Sequence, residues 1–178
     1  QRLASQPPKG CSTRALVLAP TRELALQIDA SFRKYGRYLP YRTGVVLGGV
    51  SKGPQIRALR RSEIVVATPG RLLDLWRQGH AHLKSVEVLV LDEADRMLDM
   101  GFCRDVRAII AAMPRDRQTM MFSATLSPEA TELSSDILQS PVVAAVTPSA
   151  SVPTEVLQQV MYVEPANKRT LLTEILNT

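Results

Sequence analysis

The sequence is poor in cysteine, histidine and aromatic residues, and it has no long apolar run. Two cysteines, Cys11 and Cys103, in 178 residues cannot make a disulfide framework. No stretch of about 18 apolar residues exists to span a bilayer, and the N-terminus lacks the basic, apolar and small-residue order of a secretory signal. A reducing cytoplasmic setting with no membrane partner is expected. The histidines, His80 and His82, have no cysteine or carboxylate cluster at zinc spacing, so a solvated loop is expected there rather than a metal site. Aromatic residues make up 4% of the chain. Of these, Trp76 and Tyr35 fall on apolar helical faces, where core packing is expected in preference to base stacking. Cys103 is expected to pack as a small apolar residue, and Cys11 to lie in a Pro/Gly loop. What remains is 45% hydrophobic with charge of both signs, which excludes a disordered chain and suits one globular domain with a fragment of a second.

The formal net charge is +5, but it is unevenly spread. Residues 33–80 hold ten basic side chains (Arg33, Lys34, Arg37, Arg42, Lys52, Arg57, Arg60, Arg61, Arg71 and Arg77) against Glu63 and Asp74, a surplus of eight. The rest of the chain has 12 basic and 15 acidic residues. A basic segment beside an acidic remainder is the footprint of a polyanion partner or, equally, of a solvated Arg-rich surface.

Short apolar runs recur at intervals too long for hairpins, each followed by helical spacing. Strands are expected over residues 15–19, 43–47, 63–67, 86–91, 119–122 and 142–146. Helical faces follow in Leu24, Ala25, Ile28, Phe32 and Tyr35; from Pro54 through Ile56 and Leu59; in Leu72, Leu75 and Trp76; in Phe102, Val106, Ile109, Ile110 and Met113; and from Ser127-Pro128 through Leu133, Ile137 and Leu138. Ser127 followed by Pro128 is a capping hydroxyl with proline at the first helical position. Repetition of β then α predicts an α/β fold with an open parallel sheet covered by helices on both faces. Residues 147–154, uncharged and without period, read as a linker. Residues 156–163 read as a further strand, and Leu171, Leu172, Ile175 and Leu176 as the start of a helix.

In an open parallel sheet, ligands bind beyond the carboxyl ends of the strands. There the sequence has Pro20-Thr21-Arg22-Glu23, Gly48-Gly49, Thr68-Pro69-Gly70-Arg71, Asp92-Glu93-Ala94-Asp95 and Ser123-Ala124-Thr125. Three carboxylates within four residues repel one another unless a cation compensates, and a divalent ion is the natural candidate. An Asp at such a strand end can hold Mg²⁺ of a nucleotide, directly or through water, while a neighbouring carboxylate orients and deprotonates the attacking water. The alternative is an acidic helix N-terminus that complements the helix dipole. At the other three rims, small residues admit backbone N–H groups to phosphates, Thr offers a hydroxyl, and Arg forks onto phosphate oxygens, contacts that read a backbone rather than a sequence.

Asp92-Glu93-Ala94-Asp95, with Val88-Leu89-Val90-Leu91 before it and Arg96-Met97-Leu98-Asp99-Met100-Gly101-Phe102 after it, resembles the signature of the DEAD-box ATP-dependent RNA helicases. The other four rim segments occur in that family's order, and the match runs from about Leu16 to Val146. Wording around Leu72-Leu73-Asp74 and Asn167-Lys168-Arg169 is similar to a bacterial RhlE-like branch. The resemblance implies a RecA-like fold, ATP and Mg²⁺ as cofactors, and RNA as partner, alongside ribosome-assembly or RNA-decay proteins. It implies that Asp92 engages Mg²⁺ through water, that Glu93 activates the hydrolytic water, and that Asp95, Ser123 and Thr125 couple hydrolysis to strand separation. Pro20, Thr21, Arg22, Gly48, Gly49, Thr68, Pro69, Gly70 and Arg71 would lie along one RNA strand, with the Arg-rich stretch adding a salt-dependent attraction.

A phosphate cradle of the form Gly-x-x-x-x-Gly-Lys-Ser/Thr is absent from the 178 residues. Gly44 and Gly49 are followed by Val50, Gly48 and Gly53 by Pro54, and Lys9-Gly10-Cys11-Ser12-Thr13 has the letters in another order. In the family the cradle and an adenine-reading segment precede the Pro20 motif, and further arginines follow in a second domain. With Gln1 rather than Met at the start, the expected organisation is a first RecA-like domain over 1–146, truncated at its N-terminus, a linker over 147–155 and the opening of a second domain over 156–178. Such a polypeptide alone is expected neither to hydrolyse ATP nor to unwind RNA. The rival readings are a non-catalytic RNA- or protein-binding module that keeps the rim, and a metal-dependent nuclease using Asp92, Glu93 and Asp95. The latter leaves Ser123-Ala124-Thr125 and Pro20-Thr21-Arg22 unexplained.

Overall fold

A computed structural model of the chain describes residues 3, 12–145 and 159–177. By compactness the chain divides into two units, residues 1–141 and 142–178.

In the first unit, five strands, β1 (Ala15–Leu18), β2 (Thr43–Val46), β3 (Ile64–Ala67), β4 (Val88–Leu91) and β5 (Gln118–Met121), form one sheet in the order β2-β3-β1-β4-β5. Every pairing is parallel and in step: Ala15 lies opposite Ile64 on one side and Val88 on the other. The central strands are almost wholly apolar because both faces are covered. Leu16, Leu18, Val65, Ala67, Leu89 and Leu91 are buried on one face; Val17, Ala19, Val66 and Leu47 are buried on the other.

Sheet order and crossover handedness decide which helix covers which face. From β1 the chain moves outward to β2 through α1 (Arg22–Tyr35), returns inward to β3 through α2 (Lys52–Leu59), then crosses β1 to β4 through α3 (Pro69–Arg77). The step to β5 carries α4 (Ala94–Asp99) and α5 (Cys103–Ala111), and α6 (Pro128–Ile137) follows β5. Right-handed crossovers put helices on opposite faces when the direction of travel reverses. Accordingly, Leu24, Ala25, Ile28 and Phe32 of α1 pack on the Val17 face, while Leu59, Leu72, Leu75, Val106, Ile109 and Leu133 of the other helices build the larger core. The turning point lies between β1 and β4, adjacent strands whose following connections leave in opposite directions, toward β2 and toward β5. That is the topological switch point at which α/β sheets form ligand crevices.

Local signals account for the helix ends. Thr21 caps α1, its Oγ1 accepting from the Leu24 N–H at 3.2 Å, and Ser127 caps α6 by accepting from the Ala130 N–H at 3.1 Å. At the opposite end of the sheet, Arg14 is 1% exposed and its guanidinium donates to Glu87 at 2.8 and 3.0 Å. The Glu87 carboxylate raises the Arg14 pKa against the opposing effect of burial.

Four sequence expectations need correction. Residues 142–145 are not a strand: Val142 is 96% and Val143 78% exposed. An apolar run becomes a strand only where a pairing edge meets it, and none meets this one. Residues 159–163 are likewise not a strand, while the helix expected beyond them is present as α7 (Lys168–Leu176) behind a short 3-10 turn, Pro165–Asn167. Among the described residues of this second unit none is buried, as expected for a segment too short to bury a core. Tyr35 is 79% exposed rather than packed, because α1 ends at its position and Gly36 turns the chain away. Finally, α4 begins at Ala94, where only the alternative reading of an acidic helix N-terminus placed a helix, since its six residues are too few to display a helical period. Trp76 and Cys103 are half-buried, with Trp76 against the larger core. Cys11, residue 146, the expected linker and residues 156–158 lie outside the described residues.

Candidate nucleotide and RNA site

The rim segments converge into two groups. The first joins the ends of β1, β2 and β3. Gly49 has φ +73°, a left-handed conformation that a Cβ would strain, and a Cβ there would stand 2.8 Å from Nη1 of Arg22. Arg22, the first residue of α1, therefore lies over the Gly48-Gly49 turn. Gly48 N–H donates to Oγ1 of Thr68 at 3.4 Å, and Thr68 N–H donates to the Val46 carbonyl at 2.9 Å. Arg71 reaches back from α3, its Nη1 donating to the Val50 carbonyl at 2.8 Å. Pro20, Thr68 and Pro69 are buried; Thr21, Gly48, Gly70 and Arg71 are half-buried; Arg22 and Gly49 are exposed. Only part of the expected RNA set therefore faces outward.

Two anchors of this group were not read from the sequence. Gln55, buried in α2, accepts from the Leu47 N–H at 2.8 Å and donates to the carbonyls of Leu47 and Ser51 at 3.1 and 3.0 Å. It thus ties the whole 47–51 turn to one side chain. The available signal was a glutamine four positions before buried Leu59, a polar residue at a core-facing helical position. Asp74 pairs with Lys52 at 2.7 Å and lies 3.9 Å from Arg71 Nε. Lys52 foremost, helped by Gln78 and Arg71, holds its carboxyl below the usual carboxylate range against the opposing effect of desolvation.

The second group joins the ends of β4 and β5. Asp92 N–H donates to the Leu18 carbonyl at 3.0 Å, and Asp92 Oδ1 accepts from the Glu93 N–H at 3.0 Å. Glu93 has φ 49° and ψ 53°, a left-handed conformation uncommon for a residue with a side chain. Its carboxylate pairs with Arg96 at 3.1 Å, and both it and Asp92 are half-buried. Ala94 N–H donates to the Phe122 carbonyl at 2.9 Å.

Asp95 then bridges the two loops: its Oδ2 accepts from the Thr125 hydroxyl at 2.7 Å and the Thr125 N–H at 2.8 Å, while its own N–H donates to Ser123 Oγ at 3.2 Å. Ser123 Oγ donates in turn to the Thr125 carbonyl at 2.7 Å. The Thr125 hydroxyl chiefly, with backbone N–H groups of Thr125 and Arg96 and the Ser123 hydroxyl, holds the Asp95 carboxyl below its ordinary range, and desolvation opposes this.

Among the described residues no side-chain hydrogen bond or ion pair joins the two groups, and no cluster of three or more histidine, cysteine or carboxylate groups could hold a metal ion alone. With Asp95 engaged by Thr125, Asp92 offers hard oxygen donors at a strand end. That donor set fits Mg²⁺, which keeps several waters and is commonly held by one or two carboxylates together with substrate phosphates. It does not fit a dedicated metal cage of the kind a nuclease reading requires. His82 is exposed and His80 half-buried, as a loop would have them.

Known proteins resemble this chain in sequence and fold. The model of the DEAD/DEAH box helicase family matches residues 2–133. The ATP-dependent RNA helicase DBP2 of Gibberella zeae is 56% identical over 125 residues, 70% of this chain and 23% of that protein. The DEAD-box ATP-dependent RNA helicase 30 of Oryza sativa subsp. japonica is 54% identical over 127 residues, 71% of this chain and 19% of its own. This chain thus spans about a fifth to a quarter of the length of these curated relatives. Among solved structures, a DEAD box protein from Methanococcus jannaschii superposes with TM-score 0.70 at 39% identity, covering 72% of this chain and 36% of that one. A hypothetical ATP-dependent RNA helicase from Sulfolobus tokodaii gives TM-score 0.69 at 42% identity over 72% and 39% of the two chains. The parallel sheet is thereby RecA-like, and with five rim segments in order at its carboxyl edge the chain belongs to the DEAD/DEAH box helicase family.

Proposed function

We propose that this chain is part of an ATP-dependent RNA helicase, contributing the water-activating carboxylate, the Mg²⁺-side carboxylate and one wall of the RNA track. The observation that carries this reading is the bond set joining Asp95 to Ser123 and Thr125, because it links the nucleotide-side loop to a second rim loop through groups that can separate and rejoin. Bound ATP with Mg²⁺ supplies the phosphoanhydride bond to be cleaved and the charge that offsets the leaving phosphate. Glu93, whose carboxylate is held beside Arg96 at 3.1 Å, orients water and accepts its proton. Asp92, fixed by its bonds to Leu18 and Glu93, is the residue that would hold the ion. Arg22 and Arg71, on either side of the Gly48-Gly49 turn, bind RNA phosphates irrespective of sequence.

A reducing cytoplasmic compartment and partners in ribosome assembly or RNA decay belong to the same proposal; among the described residues no helix is long and apolar enough to cross a membrane. Within the family, Leu72-Leu73-Asp74 and Asn167-Lys168-Arg169 support a bacterial RhlE-like branch, whereas the relatives compared above are plant and fungal. A tree containing both groups decides between them. The division into a first domain over 1–146, a linker over 147–155 and a second-domain opening over 156–178 is likewise proposed, and limited proteolysis that cuts within 147–155 supports it.

The test uses a chimera in which residues 15–138 replace the matching segment of a fungal relative. RNA-stimulated phosphate release and duplex unwinding are expected, both lost in Glu93→Gln with RNA binding retained. Metal-dependent strand cleavage in place of unwinding would overturn the reading in favour of a nuclease. The 178-residue polypeptide alone, which has no Gly-x-x-x-x-Gly-Lys-Ser/Thr loop, is expected to release no phosphate.

A further inference from the structure

The Arg-rich stretch does not all lie near the rim. Helix α1 runs from Arg22 at the rim to Tyr35, 14 residues or about 21 Å away. Residues 33–42, which end it and lead into β2, therefore gather at the amino ends of the strands, where residues 58–62 also arrive before β3. Arg33, Arg37, Arg42 and Arg61 line one concavity of about 430 Å³ there, floored by Phe32 and Ala58. Arg33 is paired with Asp29 at 2.7 Å. Among the described residues no carboxylate lies within ion-pair distance of Lys34, Arg37, Arg42 or Arg61, and all four are exposed.

Beside this basic groove stand two bare rings. Tyr35 is 79% and Tyr38 82% exposed, the guanidinium of Arg37 lies 4.5 Å over the Tyr38 ring, and Lys34 lies 5.8 Å from that of Tyr35. A cation over an exposed ring, repeated within four residues next to a basic channel, suits a polyanion whose repeating unit also has a flat apolar face. Single-stranded nucleic acid has both: phosphates for the arginines and bases for the rings. An acidic peptide uses the charge and leaves the rings without a purpose. We propose that this surface, at the end of the sheet opposite the motif rim, is a second binding site for single-stranded RNA. The choice of RNA as the nucleic acid rests on the proposed function; the attraction for a stacked polyanion does not.

The test titrates the full 178-residue chain, without nucleotide, against fluorescein-labelled oligouridine of about 20 nucleotides, long enough for an extended single-strand site. Tyr35→Ala with Tyr38→Ala is expected to weaken binding about tenfold, and Tyr35→Phe with Tyr38→Phe to restore it, because stacking needs the ring and not the hydroxyl. Arg37→Gln with Arg61→Gln is expected to flatten the slope of log K against log salt by about 1.4, as two lost phosphate contacts require. All four side chains are exposed, so these variants keep the fold. Parental affinity and slope in both variants overturn the proposal. So does displacement of the oligonucleotide by polyglutamate that binds the tyrosine variant undiminished, which assigns the surface to an acidic protein. A rim variant, Arg22→Ala with Arg71→Ala, separates the two readings. If it alone loses binding, the second site fails and the rim reading stands; if only the groove variants lose binding, the rim loses its RNA contact instead.

Discussion

Along the rim, the loops after β1, β2 and β3 are anchored from below, whereas those after β4 and β5 are tied to each other across open surface. Gln55 is buried and spends its amide on the backbone of the Gly48-Gly49 turn, and Arg71 clamps the same turn through Val50. Asp95, Ser123 and Thr125 hold one another through short polar side chains at the water's edge. The first arrangement fixes a surface; the second makes a joint whose bonds water can replace. The proposed RNA track needs a fixed surface, and the proposed coupling to nucleotide state needs a joint that opens at little cost.

The contrast can be broken at either end. The largest effect is expected from Glu93→Gln, which should lower phosphate release by the chimera by about 10² to 10⁴ while leaving RNA affinity within error. Next comes Gln55→Ala, which strands the Leu47 N–H in a buried turn and should cost about 1–3 kcal/mol, read by urea unfolding of the chimera, with RNA affinity falling in parallel. Gly49→Ala should cost about 1–2 kcal/mol from the positive φ, with the Arg22 guanidinium displaced as well. Thr125→Val is expected to be the mildest for stability, under about 1 kcal/mol for an exposed charge-assisted bond, yet to uncouple unwinding from hydrolysis. That split, normal phosphate release with little unwinding, is what a joint predicts and a fixed anchor does not.

Acid provides a finer probe of the same joint. The folded-state pKa of Asp95 lies below its unfolded value, so its contribution is complete above the unfolded value of about 3.9. It is lost as pH falls through the folded value. The difference in thermal midpoint between the parent and Asp95→Asn should therefore be constant near neutrality and shrink only below the ordinary carboxylate range. A difference that shrinks between pH 6 and 8, the histidine range, would assign the effect to other groups.

Most of this organisation was legible in the residues. The five strands appear within two residues of their expected limits, and for the central β1, β3 and β4 the reason is that parallel strands covered on both faces are continuous apolar runs. The rim motifs follow directly, since a run that stops abruptly at Asp92 or Thr68 marks a carboxyl end. What escaped has a common cause. Residues 142–145 have strand composition, but a strand is made by its partner, which no local pattern reports. Tyr35 has the right helical phase but is the last residue of α1, past the turns that pack on the sheet. Gln55 acts on backbone groups four to eight positions before it and Asp74 on a lysine 22 positions away, and such partners carry no letter-level signature. The charge surplus was visible as a total, but its partition between rim and far end required the sheet.

The backbone at Glu93 has a consequence for how this protein can change. A side chain in the left-handed region costs about 1–2 kcal/mol relative to glycine, so selection for stability alone would favour glycine or asparagine at this position. Random mutagenesis screened only for soluble expression should enrich Glu93→Gly, giving a sturdier protein that has lost the carboxylate proposed as its base. The position is one at which durability and chemistry are bred in opposite directions.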